Sequence, residues 1–184
     1  ASNNTAVGTN ALLVNTTGAT NTSVGASALS GNTTGASNVA VGASAMAANT
    51  TGNSNTAFGA SLGGTHGGTL QSNTTGYQNS AFGNGALYNN TEGFTNTGVG
   101  FLAMYDVTTG DNNIGLGNDA GRSGSPGGAI TTANNTITLG NGSIATANIQ
   151  VDWTVASDQR DKTDFTALDL GLDFVKALAP VTYK

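Results

Sequence analysis

Side chains that could support acid–base or metal chemistry are sparse in this sequence. His66 is the single histidine among 184 residues, and no cysteine is present, so thiolate metal sites and disulfide bonds are both excluded. Three copies of His66 could ligate a metal ion if three chains met around one axis. We expect instead a loop residue flanked by glycines. The carboxylates of Asp106, Asp111 and Asp119 are scattered, which favours solvated side chains over a calcium site. We therefore predict no cofactor.

Charge is confined to the second half of the chain. No Asp, Glu, Lys or Arg precedes Glu92, and the net charge is −5. Without a basic patch to neutralise phosphates, we expect no nucleic-acid partner. The repeats before Glu92 also lack the paired carboxylates that a glycan-cleaving enzyme needs. No apolar run approaches the length of a membrane span, so we expect no membrane insertion.

A 17-residue repeat organises most of the chain. Each unit contains an Asn, two small residues, an apolar residue and Gly, then Ala with Leu or Met, and ends in Asn-Thr-Thr-Gly. The spacing is constant except for a step of 24 between Asn55 and Asn79 and a similarly long step before a degenerate eighth copy that ends in Leu139-Gly140. The leading asparagines are Asn4, Asn21, Asn38, Asn55, Asn79, Asn96 and Asn113.

This periodicity predicts a solenoid. Seventeen residues at ~3.3 Å each span ~56 Å, enough for one coil of two short strands and two turns, and eight coils stacked ~4.8 Å apart would reach ~40 Å. The Asn-Thr-Thr-Gly segment predicts a turn with its Gly at positive φ. Recurrent Gly and Asn disfavour a helix. We predict an all-β fold, a repetitive β-roll or β-solenoid of 17-residue coils, over residues 1–148.

The Asn-Thr-Thr-Gly segments also contain Asn-x-Thr sequons. They are headed by Asn15, Asn32, Asn49 and Asn73. Such asparagines could carry glycans in a eukaryotic secretory setting. We interpret them instead as an internal ladder, bonded from coil to coil along the stack.

The core that one chain can build is thin. Each unit supplies about three apolar side chains, such as Val7, Ala11 and Leu12. Small cores are marginally stable, and three copies bundled around an axis would bury one face of each coil. The chain is therefore predicted to form a homotrimer. A self-contained monomeric solenoid is the alternative.

Two insertions interrupt the repeat. Where the Leu/Met position contains Gly63 and Gly121, insertions 63–69 and 121–128 follow. Insertions in repeat proteins form surface loops, often on the binding face. Thr65, His66, Arg122 and Ser123 are therefore candidate receptor-contact residues, with ordinary surface loops as the alternative.

The repeats resemble the head repeats of trimeric autotransporter adhesins. They are more similar still to the Asn-Thr-Ala-x-Gly-x-x-Ala-Leu-x-x-Asn-Thr-Thr-Gly arrays that precede chaperone domains in phage tail-fibre-like proteins. The resemblance covers residues 4 to about 140. It implies a trimeric β-roll that serves as a stalk or adhesive head, on a virion tail fibre or at the cell surface. A cell-surface glycan or protein receptor would be the partner.

The composition changes near residue 150, and residues 149–184 form a different module. Residues 149–155 alternate as a strand does. Leu168, Leu172, Val175 and Leu178 recur at helical spacing before Pro180, which predicts a short helix.

This tail resembles the start of the intramolecular chaperone domain of phage tail spikes and tail fibres, with its Ser-Asp, Arg and Lys and a Gly-Leu-x-Phe-Val-x-x-Leu-x-Pro-Val helix at Gly171 to Val181. The resemblance implies that the tail aligns three chains. It also implies one self-cleavage at Ala156–Ser157, with Ser157 as nucleophile and Lys162 as base, and no turnover enzyme. Ordinary surface roles for Ser157 and Lys162 are the alternative.

The function predicted is a structural and adhesive fibre segment whose C-terminal module assists trimerisation. The alternative is a bacterial surface adhesin or extracellular filament subunit with the same repeat. A third hypothesis is an ice-binding solenoid, which needs two threonines facing outward on every coil. Glu92 and Val107 interrupt that pattern.

Overall fold

The structure is a computed structural model that describes residues 1–61 and 66–148. Within those residues the chain forms eight strands of three residues and no helix. The strands are β1 (Thr5–Val7), β2 (Thr22–Val24), β3 (Val39–Val41), β4 (Thr56–Phe58), β5 (Ser80–Phe82), β6 (Thr97–Val99), β7 (Ile114–Leu116) and β8 (Ile137–Leu139). They pair in chain order in one parallel sheet. The predicted all-β solenoid is confirmed, and this part of the chain offers no helix able to cross a membrane.

Equivalent residues of successive repeats pair directly across the sheet. Thr5 pairs with Thr22, and Val7 pairs with Val24. The longer spacing between β4 and β5 leaves the register intact, because Phe58 still pairs with Phe82. The extra residues are therefore accommodated outside the sheet, and each coil contributes one strand to a continuous stack.

Each coil contains one strand, so the prediction of two strands per coil is wrong for the described residues. The reason is a column of Leu and Met residues with left-handed backbone, φ between 47° and 55°. Left-handed conformation interrupts extended chain. Backbone bonds between coils nevertheless continue here, as from Leu29 N to Ala45 O at 3.0 Å. This leucine column consists of Leu12, Leu29, Met46, Leu70, Leu87 and Met104.

The leucine column forms the interior with the small residues at the middle of each strand. Leu29, Met46 and Leu87 are fully buried, and Ala40 and Ala57 pack with them in one core cluster. Each fully buried Leu or Met contributes ~1.5–3 kcal/mol. Because only the middle residue of each three-residue strand faces inward, the two flanking residues face outward.

Two columns of asparagine run through the interior beside this core. In the strand ladder, formed by the leading asparagines, each Oδ1 accepts the backbone N–H of the equivalent residue one coil later, as from Asn38 N to Asn21 Oδ1 at 2.9 Å. The turn ladder is formed by Asn15, Asn32, Asn49, Asn73 and Asn90, and in each member after Asn15 the Nδ2 donates to the Oδ1 of the preceding member. The internal-ladder interpretation of the sequons is confirmed, since the amide nitrogens of Asn32, Asn49 and Asn73 are buried and bonded.

Positive φ occurs at a different glycine from the one predicted. The glycines that follow each strand, from Gly8 to Gly117, have φ between 111° and 147°. The glycine of Asn-Thr-Thr-Gly is instead required by close approach. A Cβ on Gly35 would overlap Gly52 O and Asn32 Oδ1. The prediction of positive φ in that turn is therefore wrong, although the turn does require glycine.

The first insertion begins one residue earlier in the chain than predicted. Leu70 occupies the leucine column, with φ of 51° and a bond from its N to Ala86 O at 2.9 Å. The insertion therefore falls between Ser61 and Thr69, and the prediction that Gly63 fills the column is wrong. The second insertion does follow Gly121, because Ile130 N donates back to Gly121 O at 2.8 Å.

Candidate contact surface

An apolar stripe runs along the outer face of the sheet. It comprises the third residue of every strand, namely Val7, Val24, Val41, Phe58, Phe82, Val99, Leu116 and Leu139. Six of these side chains are between 39% and 58% exposed. Val7 was predicted to belong to the core and is instead 58% exposed. The prediction failed because an apolar residue that follows the inward-facing middle residue of a strand points away from the interior.

The bulkiest part of the stripe is a stacked aromatic pair. The rings of Phe58 and Phe82 lie 5.6 Å apart between centroids, at an interplanar angle of 8°. Their side chains pair in register on adjacent strands, which places one ring directly over the next. Both remain about two-fifths exposed.

The first insertion returns to the solenoid beside this stripe. Thr65 lies outside the described residues. His66 is half-buried, and its ring centroid lies 5.6 Å from that of Phe101, which is itself exposed. Phe101 comes two residues after Val99 of the stripe, so the predicted contact residue His66 lies next to an exposed aromatic side chain.

The second insertion is anchored at its base and exposed beyond it. Arg122 Nη1 lies 2.5 Å from Asp119 Oδ1. Ser125 Oγ donates to the carbonyl oxygen of Asp119 at 2.7 Å and accepts from Arg122 N at 3.1 Å. Of the two predicted contact residues, Arg122 is therefore engaged within the chain, whereas Ser123 is exposed.

A tyrosine stack joins the two insertions. Tyr88 and Tyr105 lie 4.9 Å apart between ring centroids, at 8°. The guanidinium carbon of Arg122 lies 5.1 Å from the centroid of Tyr105. At the other end, a Cβ on Gly67 would overlap the ring of Tyr88, so the backbone of the first insertion rests on that ring. Arg122 of the second insertion and Gly67 of the first thus each contact one ring of this pair.

The stacking of Tyr88 on Tyr105 was not predicted. The two tyrosines occupy the same position in successive repeats, and this equivalence could have indicated the stack. The surroundings of this stack shift the pKa of Tyr105. Burial raises the pKa of the Tyr105 hydroxyl, Tyr88 and Asp106 raise it further, and the charge of Arg122 partly opposes them.

The other sites considered in the sequence concern metal ligands and the C-terminal module. In residues 1–61 and 66–148 no three His, Asp or Glu side chains come together as metal ligands, and no pocket is present there. Ser157, Lys162 and the module 149–184 lie outside the described residues, so their roles stay predictions. No known protein family, characterised protein or solved structure matches this chain.

Proposed function

We propose that this chain is a segment of a homotrimeric extracellular fibre of the tail-fibre type, which attaches to a cell-surface glycan or protein receptor. The observation that supports this function is the apolar stripe, which leaves an apolar side chain outside the solenoid on every described strand. Contiguous exposed apolar surface on this scale marks a contact with another molecule.

A second and third copy of the same chain fit this stripe best. The stripe runs parallel to the stacking direction, so a rotation axis along the stack brings each coil against its own copies. Eight strands at ~4.8 Å, each three residues long at ~3.3 Å per residue, give a face of ~380 Å², about half of the area that one partner buries in a standard interface. The number three is taken from the resemblance of the repeats to trimeric fibres.

The attachment role is supported by the insertions. Ser123 is exposed on a loop whose base is fixed by the ion pair between Arg122 and Asp119. A loop held by a rigid scaffold is a common arrangement for recognition. The module 149–184 would align the three chains during assembly, in the way its resemblance to intramolecular chaperones implies. The fibre would lie on a virion tail or at the cell surface.

Light scattering with size-exclusion chromatography tests the assembly. We expect three times the chain mass of 18.1 kDa. Val24→Glu puts a charge on the stripe and should yield monomer, because a buried unpaired carboxylate is costly. Thr75→Glu is the matched control, since its position is equivalent to that of Glu92 one coil later, and it should stay trimeric. A monomeric parent chain would contradict the proposal.

A bacterial surface adhesin or extracellular filament subunit is the alternative, and it would use the same assembly. The gene sequence that follows Lys184 separates the two, because a chaperone domain favours the tail-fibre type and a membrane anchor favours the adhesin.

An ice-binding role has weaker support. The first threonine of each pair donates its hydroxyl to the next coil, as from Thr33 Oγ1 to Thr50 O at 3.0 Å. Only the second threonine of the pair then faces solvent freely, and Glu92 interrupts that column. A measurement of thermal hysteresis would decide this point, and we expect none.

A further inference from the structure

We propose that the stacked pair Phe58 and Phe82 sets the axial register in which copies of this chain associate along the apolar stripe. The inference rests on the homotrimer proposed above and adds to it the residues that specify alignment.

Register is a real difficulty for a chain of this kind. Successive coils are nearly identical, so a copy displaced by one coil, ~4.8 Å, would meet a surface of the same geometry. No charged residue occurs before Glu92 that could distinguish one coil from the next. A periodic interface needs at least one non-periodic feature to exclude such slipped pairings.

The stripe contains such a feature at its middle. The first three strands present Val7, Val24 and Val41, whereas β4 and β5 present phenylalanine. The following strands return to aliphatic residues. Side-chain volume along the stripe therefore has one maximum, at the stacked pair.

The consequence for packing follows from volume. In register, both phenylalanine layers of each chain meet the same layers of its partners, and stacked or edge-to-face aromatic contacts become possible. A slip of two coils places both rings against aliphatic side chains and creates overpacked layers beside underfilled ones. The pair is already ordered by its 5.6 Å stack within one chain, which lowers the entropy lost on association.

A second stacked pair serves as a matched control. Tyr77 and Phe94 also come from adjacent coils, with ring centroids 4.8 Å apart at 3°. They lie outside the strands that carry the apolar stripe, because a residue with left-handed backbone, Gln78 (φ 56°) or Thr95 (φ 54°), separates each of them from β5 or β6. Loss of this pair should leave the register unchanged.

Cysteine cross-linking measures the register, because the chain has no cysteine of its own. Chains with Val7→Cys and chains with Val41→Cys, carrying tags of different length, are co-assembled in the full chain and oxidised. These positions lie two coils apart, ~10 Å along the stack, beyond the ~7 Å limit between Cα atoms for a disulfide. In the parent sequence we expect cross-links between like cysteines and only background cross-linking between unlike ones.

The double variant Phe58→Val/Phe82→Val should raise cross-linking between unlike cysteines severalfold, and Tyr77→Val/Phe94→Val should not. Moving the phenylalanine pair to other coils gives a further test, in which a new cross-link is expected to form. We call this variant the transplant. Chains with Val24→Phe, Val41→Phe, Phe58→Val and Phe82→Val carry the pair two coils earlier. When such chains also carry Val7→Cys and are co-assembled with parent chains carrying Val41→Cys, the two unlike cysteines should form a disulfide.

The outcomes separate this inference from the trimer on which it rests. If light scattering gives a trimer but the transplant produces only like cross-links, the phenylalanine pair does not set the register and the fibre proposal stands. If the parent chain is monomeric, both proposals are overturned. Unlike cross-links that appear in the transplant and in the Phe58→Val/Phe82→Val variant, but not in the control, support the register proposal.

Discussion

The turn ladder predicts a position-dependent cost for removing an asparagine. Asn49 lies inside the ladder, where its Nδ2 donates to Asn32 Oδ1 at 2.7 Å and its Oδ1 accepts from Asn73 Nδ2 at 2.7 Å. Asn90 lies at the end, because Val107 occupies the next position and Asn90 Oδ1 has no partner. Valine is tolerated by this backbone, since Val107 is itself fully buried in the column.

The magnitude follows from the groups left without partners. Asn49→Val leaves one amide oxygen, on Asn32, and one N–H, on Asn73, buried and unpaired. At ~1–3 kcal/mol each, this destabilises the chain by ~2–6 kcal/mol. Asn90→Val removes one unpaired oxygen and creates one, on Asn73, so its net change in unpaired groups is zero. The gain from burying valine is shared by both variants and cancels in their difference.

The two variants also have the same effect on the glycine carbonyl that the asparagine amide contacts. Gly52 O and Gly93 O each lose one amide donor in the respective variant, and each keeps another, from Asn38 at 2.8 Å and from Asn79 at 2.8 Å. The comparison therefore isolates the side-chain ladder.

Urea unfolding followed by circular dichroism, at one fixed protein concentration, measures the difference. We expect Asn49→Val to be less stable than Asn90→Val by at least ~2 kcal/mol. Equal losses in the two variants, or a larger loss for Asn90→Val, would refute the reasoning that continuity of the ladder carries the stability.

Three further predictions concern a glycine, a tyrosine and the predicted cleavage site. Gly35→Ala should cost ~1–3 kcal/mol in urea unfolding, because its Cβ would overlap the next coil, while Thr34→Ala on the exposed side of the same turn should be near neutral. Because folding raises the pKa of Tyr105, its contribution to stability is complete below the ordinary tyrosine pKa of 10.0 and is lost as pH rises through the folded pKa. Arg122→Ala should raise that pKa further, as measured by ultraviolet difference titration against Tyr105→Phe, and a lowered pKa would contradict the assigned causes. Ser157→Ala in the full-length gene should abolish release of the C-terminal piece on a denaturing gel, and unchanged release would show that another residue, or no self-cleavage, is involved.

The sequence shows which positions recur from coil to coil, but it does not show which of them point outward. The insertions are recognisable from the broken spacing, so His66, Arg122 and Ser123 could be identified as loop residues. The sequence does not reveal that Arg122 lies over Tyr105 or that Gly67 rests on Tyr88, because these contacts join residues one coil or more apart. Such contacts depend on which positions of the coil point outward.

The sequence by itself determined the fold class, the period and the internal asparagine ladder. A strict 17-residue period allows identical side chains to stack, so a buried amide can donate to the oxygen of its own copy in the preceding coil, as Asn32 Nδ2 does to Asn15 Oδ1. Only the tertiary structure decided which apolar column lies inside. The left-handed backbone at Leu29 and its equivalents limits each coil to one strand of three residues, and the alternation of that strand turns Ala40 inward and Val41 outward. The apolar residue that marks each repeat most clearly therefore became the exposed stripe, and not the core.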